Sequence, residues 1–167
     1  MVVSQTDLED LAARVGAALA DRGWLMASAE SCTGGWVAQA MTAIAGSSAW
    51  FDRGFVTYSN AAKTDMLGVN VDTLAQHGAV SEAVVAEMAR GAVARSQAQI
   101  ACAISGIAGP TGGSDSKPVG TVCFAWALAG GAVESVTRHL PGDRHEVRAQ
   151  AVCQALEGVL AQLAAMP

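Results

Sequence analysis

Aromatic side chains make up only 5% of this 167-residue chain, charged ones only 15%, and proline occurs four times. So few aromatics leave the packing to Ala, Val, Leu and Ile. A disordered chain combines high charge with low hydrophobicity, whereas 51% of these residues are hydrophobic, enough for a core covered on two faces. There is no run of Lys or Arg, and the net charge is −5. Broad binding to nucleic acid or to an anionic membrane needs a positive field, so neither is expected. The first ten residues carry acids and no apolar core, unlike a signal peptide. Residues 31–51 lack charge, yet Ser31, Thr33, Gln39, Thr42, Ser47 and Ser48 make that stretch too polar to span a bilayer. The four cysteines, Cys32, Cys102, Cys123 and Cys153, match neither zinc nor CxxC spacing. They read as reduced thiols in a cytoplasmic protein, and nothing calls for a metal or a cofactor.

The periodicity of what is present predicts alternating helices and buried strands. Thr6-x-x-Glu9 has the form of a capping box, followed by a helix over 7–22 with Leu8, Leu11, Ala12, Val15 and Leu19 on one face. Trp24 to Ala29 reads as a strand, and Thr33-Gly34-Gly35 as the opening of a helix to about Ala45. Phe55 to Tyr58 reads as a strand, with Asn60 capping a short helix through Met66. Ser81 caps a helix carrying Val84, Val85, Met88, Ala92 and Val93. Ile100–Ile104 is an apolar strand, followed by a glycine-rich loop from Gly106 to Pro118. Two strands, Val119–Leu128 and Ala132–His139, meet at Gly130-Gly131, a hairpin signal. Asp143-x-x-Glu146 caps a final helix. The expected fold is α/β: a single domain over 1–167, a three-layer α/β/α sandwich around a mixed, mostly parallel sheet with an antiparallel hairpin.

In open α/β sheets, sites form where strand ends meet helix N-termini. Three segments have that character: Ala29-Glu30-Ser31-Cys32-Thr33-Gly34-Gly35, Tyr58-Ser59-Asn60-Ala61-Ala62-Lys63, and Ser105-Gly106-Ile107-Ala108-Gly109-Pro110-Thr111-Gly112-Gly113. Glycines in such turns let backbone N–H groups approach a ligand. Each segment alone also has a plain reading, as a helix cap or a surface loop.

Together, these blocks resemble the CinA C-terminal domain (competence/damage-inducible) family. Gly78-Ala79-Val80-Ser81-Glu82, Lys117-Pro118-Val119-Gly120-Thr121, and Gly142-Asp143-Arg144 with Arg148 extend the resemblance over nearly the whole chain. Ser105 stands where the family pattern has Thr, a change that keeps the hydroxyl. Many members carry an additional N-terminal domain. This chain is expected to be the C-terminal type alone, without that domain's activity.

The resemblance implies hydrolysis of nicotinamide mononucleotide to nicotinate mononucleotide and ammonia, within pyridine-nucleotide recycling. It also implies Ser31 as nucleophile, Lys63 as its base and Tyr58 close by. A serine needs a neighbour to take its proton, and lysine does so only when neutral. N–H groups of Thr33, Gly34 and Gly35 are expected to hold the oxyanion. Ser105, Gly106, Gly109 and Gly112 are expected to hold ribose or phosphate, and Arg144 and Arg148 the phosphate. Other readings stay open. Cys32 is a nucleophile or core packing. Lys117 is an alternative base or a solvated loop residue. Glu30 carries surface charge or binds adjoining backbone, and the two arginines pair with acids instead of phosphate. Beyond an enzyme, the chain also reads as a non-catalytic nucleotide-binding or regulatory domain, or an interaction module linked to competence or DNA damage. The family further suggests a homo-oligomer, dimer or higher.

Overall fold

The computed structural model describes residues 2–167. Helix α1 (Gln5–Arg22) begins at Ser4, not Thr6: the Ser4 side chain accepts from Asp7 N–H while the Asp7 carboxylate accepts from Ser4 N–H. Ser4-x-x-Asp7 thus forms the reciprocal cap, two residues earlier than Thr6-x-x-Glu9. Strand β1 (Met26–Glu30) is buried throughout and leads through a turn into α2 (Trp36–Thr42). Thr33-Gly34-Gly35 is that turn rather than helix, because Gly34 and Gly35 sit at φ +60° and +97°. Strand β2 (Phe51–Val56) starts four residues before the expected Phe55. It lies at the edge of the sheet, where one side faces solvent and the Asp52-Arg53-Gly54 interruption of the apolar pattern is tolerated.

Three helices follow: α3 (Asn60–Leu67), α4 (Val71–His77) and α5 (Glu82–Ala94). The side chain of Ser59, rather than Asn60, caps α3. The short α4, capped by Asn70, has no buried residue and so no apolar stripe to announce it. Ser81 caps α5 as expected. Strands β3 (Ile100–Gly106), β4 (Thr121–Leu128) and β5 (Val133–His139) complete the sheet, and α6 (Arg144–Ala165) closes the chain behind its Asp143–Glu146 capping box.

The sheet order is β2-β1-β3-β4-β5. Strands β2, β1 and β3 run parallel, and β4 and β5 add antiparallel. The sheet is mixed as expected, and β4 alone runs against the other strands. Leu8, Val15, Met41, Ile100, Ile104, Leu156 and their neighbours form the core between the sheet and α1, α2 and α6. Ala27, Ala29, Leu67, Val85, Met88, Ala101 and Ala103 form the opposite core under α3 and α5. These are the three layers. Alanine and glycine bring the helices close: a Cβ at Gly91 of α5 would run into the Leu67 carbonyl at the end of α3. That approach sets α3 against the sheet.

Candidate active site

The C-terminal ends of the three parallel strands converge. Glu30 pairs with Val56 on one side and Ile104 on the other, so the next residues in register are Ser31, Thr57 and Ser105. The bonds Thr57 N–H to Glu30 O (2.8 Å) and Ser31 N–H to Ile104 O (3.0 Å) continue the ladder. Strand alternation sends Glu30 toward α2 and Ser31 toward α3. Ser31 is 9% exposed.

Lys63 stands on the first turn of α3 and is 2% exposed. Its Nζ donates to the Thr57 carbonyl at 3.0 Å and lies 3.1 Å from Ser31 Oγ. Among the described residues no carboxylate is within ion-pair distance of Nζ. Desolvation therefore governs: burial lowers the Lys63 pKa from the ordinary lysine value, with a weaker opposing influence from the neighbouring Cys32 side chain. In its neutral form an amine at this distance can take the proton of a serine hydroxyl and so activate the serine as a nucleophile.

Cys32 belongs to the core on the α2 side, and burial pushes its thiol up to about 11. A protonated thiol is a poor nucleophile, so the packing reading of Cys32 holds. Tyr58 is 63% exposed, and its hydroxyl accepts from Arg144 Nη2 at 3.0 Å. That bond joins it to α6 instead of to Ser31 or Lys63. Arg144 also donates to the Gly109 carbonyl at 2.9 Å, bridging the Tyr58 and glycine loops. Arg148 donates to the carbonyls of Cys32 and Thr33 and lies over the Trp36 ring. Among the described residues neither arginine pairs with an acid. Lys117 Nζ donates to the His77 carbonyl at 2.8 Å, leaving it no contact with Ser31.

Ser105 is buried beside Ser31, and Gly106 ends β3. Gly112 lies in the exposed part of the loop. A cavity of about 540 Å³ lies between this loop and the start of α6, lined by Ala108, Pro110, Val119, Asp143, Arg144 and His145. One participant escaped sequence reasoning. Thr57 acts through its main chain, which carries no side-chain signal. Glu30 is fully buried, where its carboxylate accepts four hydrogen bonds, from Ser28 Oγ, Thr33 Oγ1, Val37 N and Ala38 N. It binds adjoining backbone and is not a surface charge. The expected oxyanion donors change as well: the Gly34 N–H is already given to the Ser31 carbonyl. Among the described residues no group of three or more His, Cys, Asp and Glu side chains converges on a possible metal position.

The sequence profile of the CinA C-terminal domain matches residues 8–163. The chain belongs to the CinA C-terminal domain family. A curated relative from Escherichia coli strain K12, named nicotinamide-nucleotide amidohydrolase PncC, is 59% identical over 157 residues, covering 93% of this chain and 94% of that protein. The protein of the same name from Pseudomonas putida is 53% identical over 90% of this chain and 93% of its own. Among solved members of the CinA family, the competence damage-inducible protein A of Klebsiella pneumoniae MGH 78578 superposes with a TM-score of 0.92 at 46% identity, covering 96% of this chain and 99% of that one. The competence/damage inducible protein of Agrobacterium tumefaciens gives 0.90 at 47% identity, over 96% and 97%. No helix among the described residues is long and apolar enough to cross a membrane.

Proposed function

We propose that this chain hydrolyses the carboxamide of nicotinamide mononucleotide, giving nicotinate mononucleotide and ammonia, with Ser31 as nucleophile and Lys63 as its base. The names of the relatives supply the substrate class. The observation that carries the chemistry is the 3.1 Å approach of a buried, carboxylate-free Lys63 Nζ to Ser31 Oγ.

Neutral Lys63 takes the hydroxyl proton as Ser31 Oγ attacks the carboxamide carbon. The Thr57 carbonyl, bonded to Nζ, favours the ammonium that forms and holds its direction. The oxyanion is met by those main-chain N–H groups of the turn after Ser31 that no carbonyl takes, each contributing on the order of 3 kcal/mol. Lys63 then returns its proton to the departing nitrogen, and ammonia leaves an acyl-Ser31 ester. Water attacks the ester, Lys63 serves again as base, and the acid is released with Ser31 regenerated. The cationic pyridinium of the substrate also favours a neutral lysine.

Arg144 is the better phosphate partner of the two arginines. It lines the cavity of about 540 Å³, and Arg148 does not. In this reading Tyr58 holds Arg144, and its part in proton transfer requires release from that arginine. Recycling of pyridine nucleotides in the cytoplasm is the setting this reaction serves.

Ammonia release tests the proposal with the mononucleotide, its riboside and free nicotinamide in parallel, using Ser31→Ala as control. Turnover of the mononucleotide that vanishes in the variant supports it. Tight binding of the nucleotide without ammonia release would instead make the chain a binding domain.

A further inference from the structure

We propose that Glu30 is a positioning residue: its buried carboxylate fixes the Ser31–Gly35 turn in the shape that leaves the N–H groups of Cys32 and Thr33 available as oxyanion donors. The inference rests on the reading of Ser31 as an acyl-transfer nucleophile.

Accounting for the turn's main chain leads there. The Ser31 N–H goes to Ile104 O, the Gly34 N–H to Ser31 O, and the Trp36 N–H to Thr33 O. The next two N–H groups, of Val37 and Ala38, go to the Glu30 carboxylate at 2.9 and 3.1 Å. Among the described residues no main-chain carbonyl takes the N–H of Cys32, Thr33 or Gly35. The N–H of the residue after a nucleophilic serine is a standard oxyanion donor in strand-turn-helix sites. Arg148 holds the Cys32 carbonyl at 2.9 Å. In a trans peptide the N–H points opposite to its carbonyl, so this bond turns the Thr33 N–H away from the arginine.

Glu30 closes the turn from the other side. One oxygen joins Thr33 Oγ1 (2.8 Å) to Val37 N, and the other joins Ser28 Oγ (3.1 Å) to Ala38 N. A single carboxylate thereby links the strand before Ser31, the middle of the turn and the helix after it. It also occupies the first-turn amides of α2, so these cannot draw the oxyanion away from Cys32 and Thr33. Gln at position 30 would present an amide N–H₂ to groups that are themselves donors.

The test uses two readouts. The first is steady-state ammonia release from nicotinamide mononucleotide, normalised to correctly folded protein. The second is the rate of covalent labelling of Ser31 by a fluorophosphonate, followed by intact mass with Ser31→Ala as control. Glu30→Gln should lower kcat by roughly 30- to 300-fold with KM within about twofold, and slow labelling comparably, following the loss of an oriented donor. The midpoint of its kcat/KM pH profile should not move, because the carboxylate orients the turn and does not touch Lys63. Thr33→Val removes one of the four donors at nearly constant volume and serves if Glu30→Gln does not fold. Its kcat should fall several-fold at unchanged KM. A wild-type protein that labels at Ser31 but releases no ammonia overturns the substrate reading alone, and labelling then decides on Glu30. Loss of wild-type labelling, unchanged rates in a folded variant, or an effect confined to KM overturns the positioning role.

Discussion

Replacing Lys63 by Met should separate activity from stability, since activity depends on this side chain far more steeply than stability does. The residue is 2% exposed, and its Nζ makes contacts of 3.0 and 3.1 Å. Methionine nearly matches the volume. Two hydrogen bonds at about 1 kcal/mol each are lost, and the desolvation cost of a buried amine disappears. These terms offset, so unfolding free energy should change by no more than about 1–2 kcal/mol, a Tm shift of at most roughly 6 °C. Loss of the base should lower kcat by about 10³–10⁴, or about 4–5.5 kcal/mol of barrier. The pH dependence follows from the direction of the shift. Burial lowers the Lys63 pKa, so between its folded value and 10.5 the unfolded chain holds the extra proton. Wild-type stability therefore rises with pH across that window and carries its full penalty below it, and Lys63→Met should lack this slope. Activity should rise with pH over the same limb, as neutral amine accumulates. Thermal melts and ammonia release from pH 6 to 10.5 measure both. A Lys63→Met protein that keeps more than a tenth of wild-type turnover, or a wild-type rate that falls with rising pH, would refute the reasoning.

Cys32→Ala should keep turnover within about twofold and lose about 1 kcal/mol of stability, because its thiol fills the core and stays protonated; denaturant melts alongside ammonia assays check this. Arg144→Ala should raise KM for the mononucleotide by roughly 10- to 100-fold while affecting the riboside far less, matching loss of a charge-assisted phosphate contact; equal losses on both substrates would remove the phosphate assignment. Gly91→Ala should destabilise by about 1–3 kcal/mol, since the new Cβ meets the Leu67 carbonyl. It should also depress kcat by shifting α3 and Lys63, an effect visible at a temperature where the variant is still folded.

The three-layer architecture was legible because β1, β3 and β4 are short apolar runs buried on both faces, while the core-packed helices carry apolar stripes. The failures have local causes. Edge strand β2 is half polar, so its start at Phe51 carried no alternation to read. Helix α4 buries nothing and therefore shows no period. Gly34 and Gly35 look like the flexible opening of a helix, yet their positive φ values make them a turn that delays α2 to Trp36. At the site, the approach of Lys63 to Ser31 was expected from the family pattern alone. The spacing of the two residues says nothing about it, since the meeting depends on how α3 packs. Nothing in the sequence signals that the Cys32 and Thr33 carbonyls accept from the Arg148 guanidinium.

A lysine can act as base next to a serine only if no acid holds its proton, and the chain places a glutamate directly before that serine. The strand resolves the conflict. Alternation turns Glu30 to the α2 face, where four neutral donors satisfy its carboxylate without a counter-cation, and turns Ser31 to the α3 face, where Lys63 waits. Burial accordingly governs the Lys63 pKa and lowers it. A one-residue slip of β1 against its neighbours would bring the carboxylate to the amine, form a buried ion pair and fix the lysine in its charged state. Register is thus a chemical requirement of the proposed reaction as well as a packing one. It is secured by the paired bonds on both sides of Glu30 and by the helix amides that hold its side chain on the far face of the sheet.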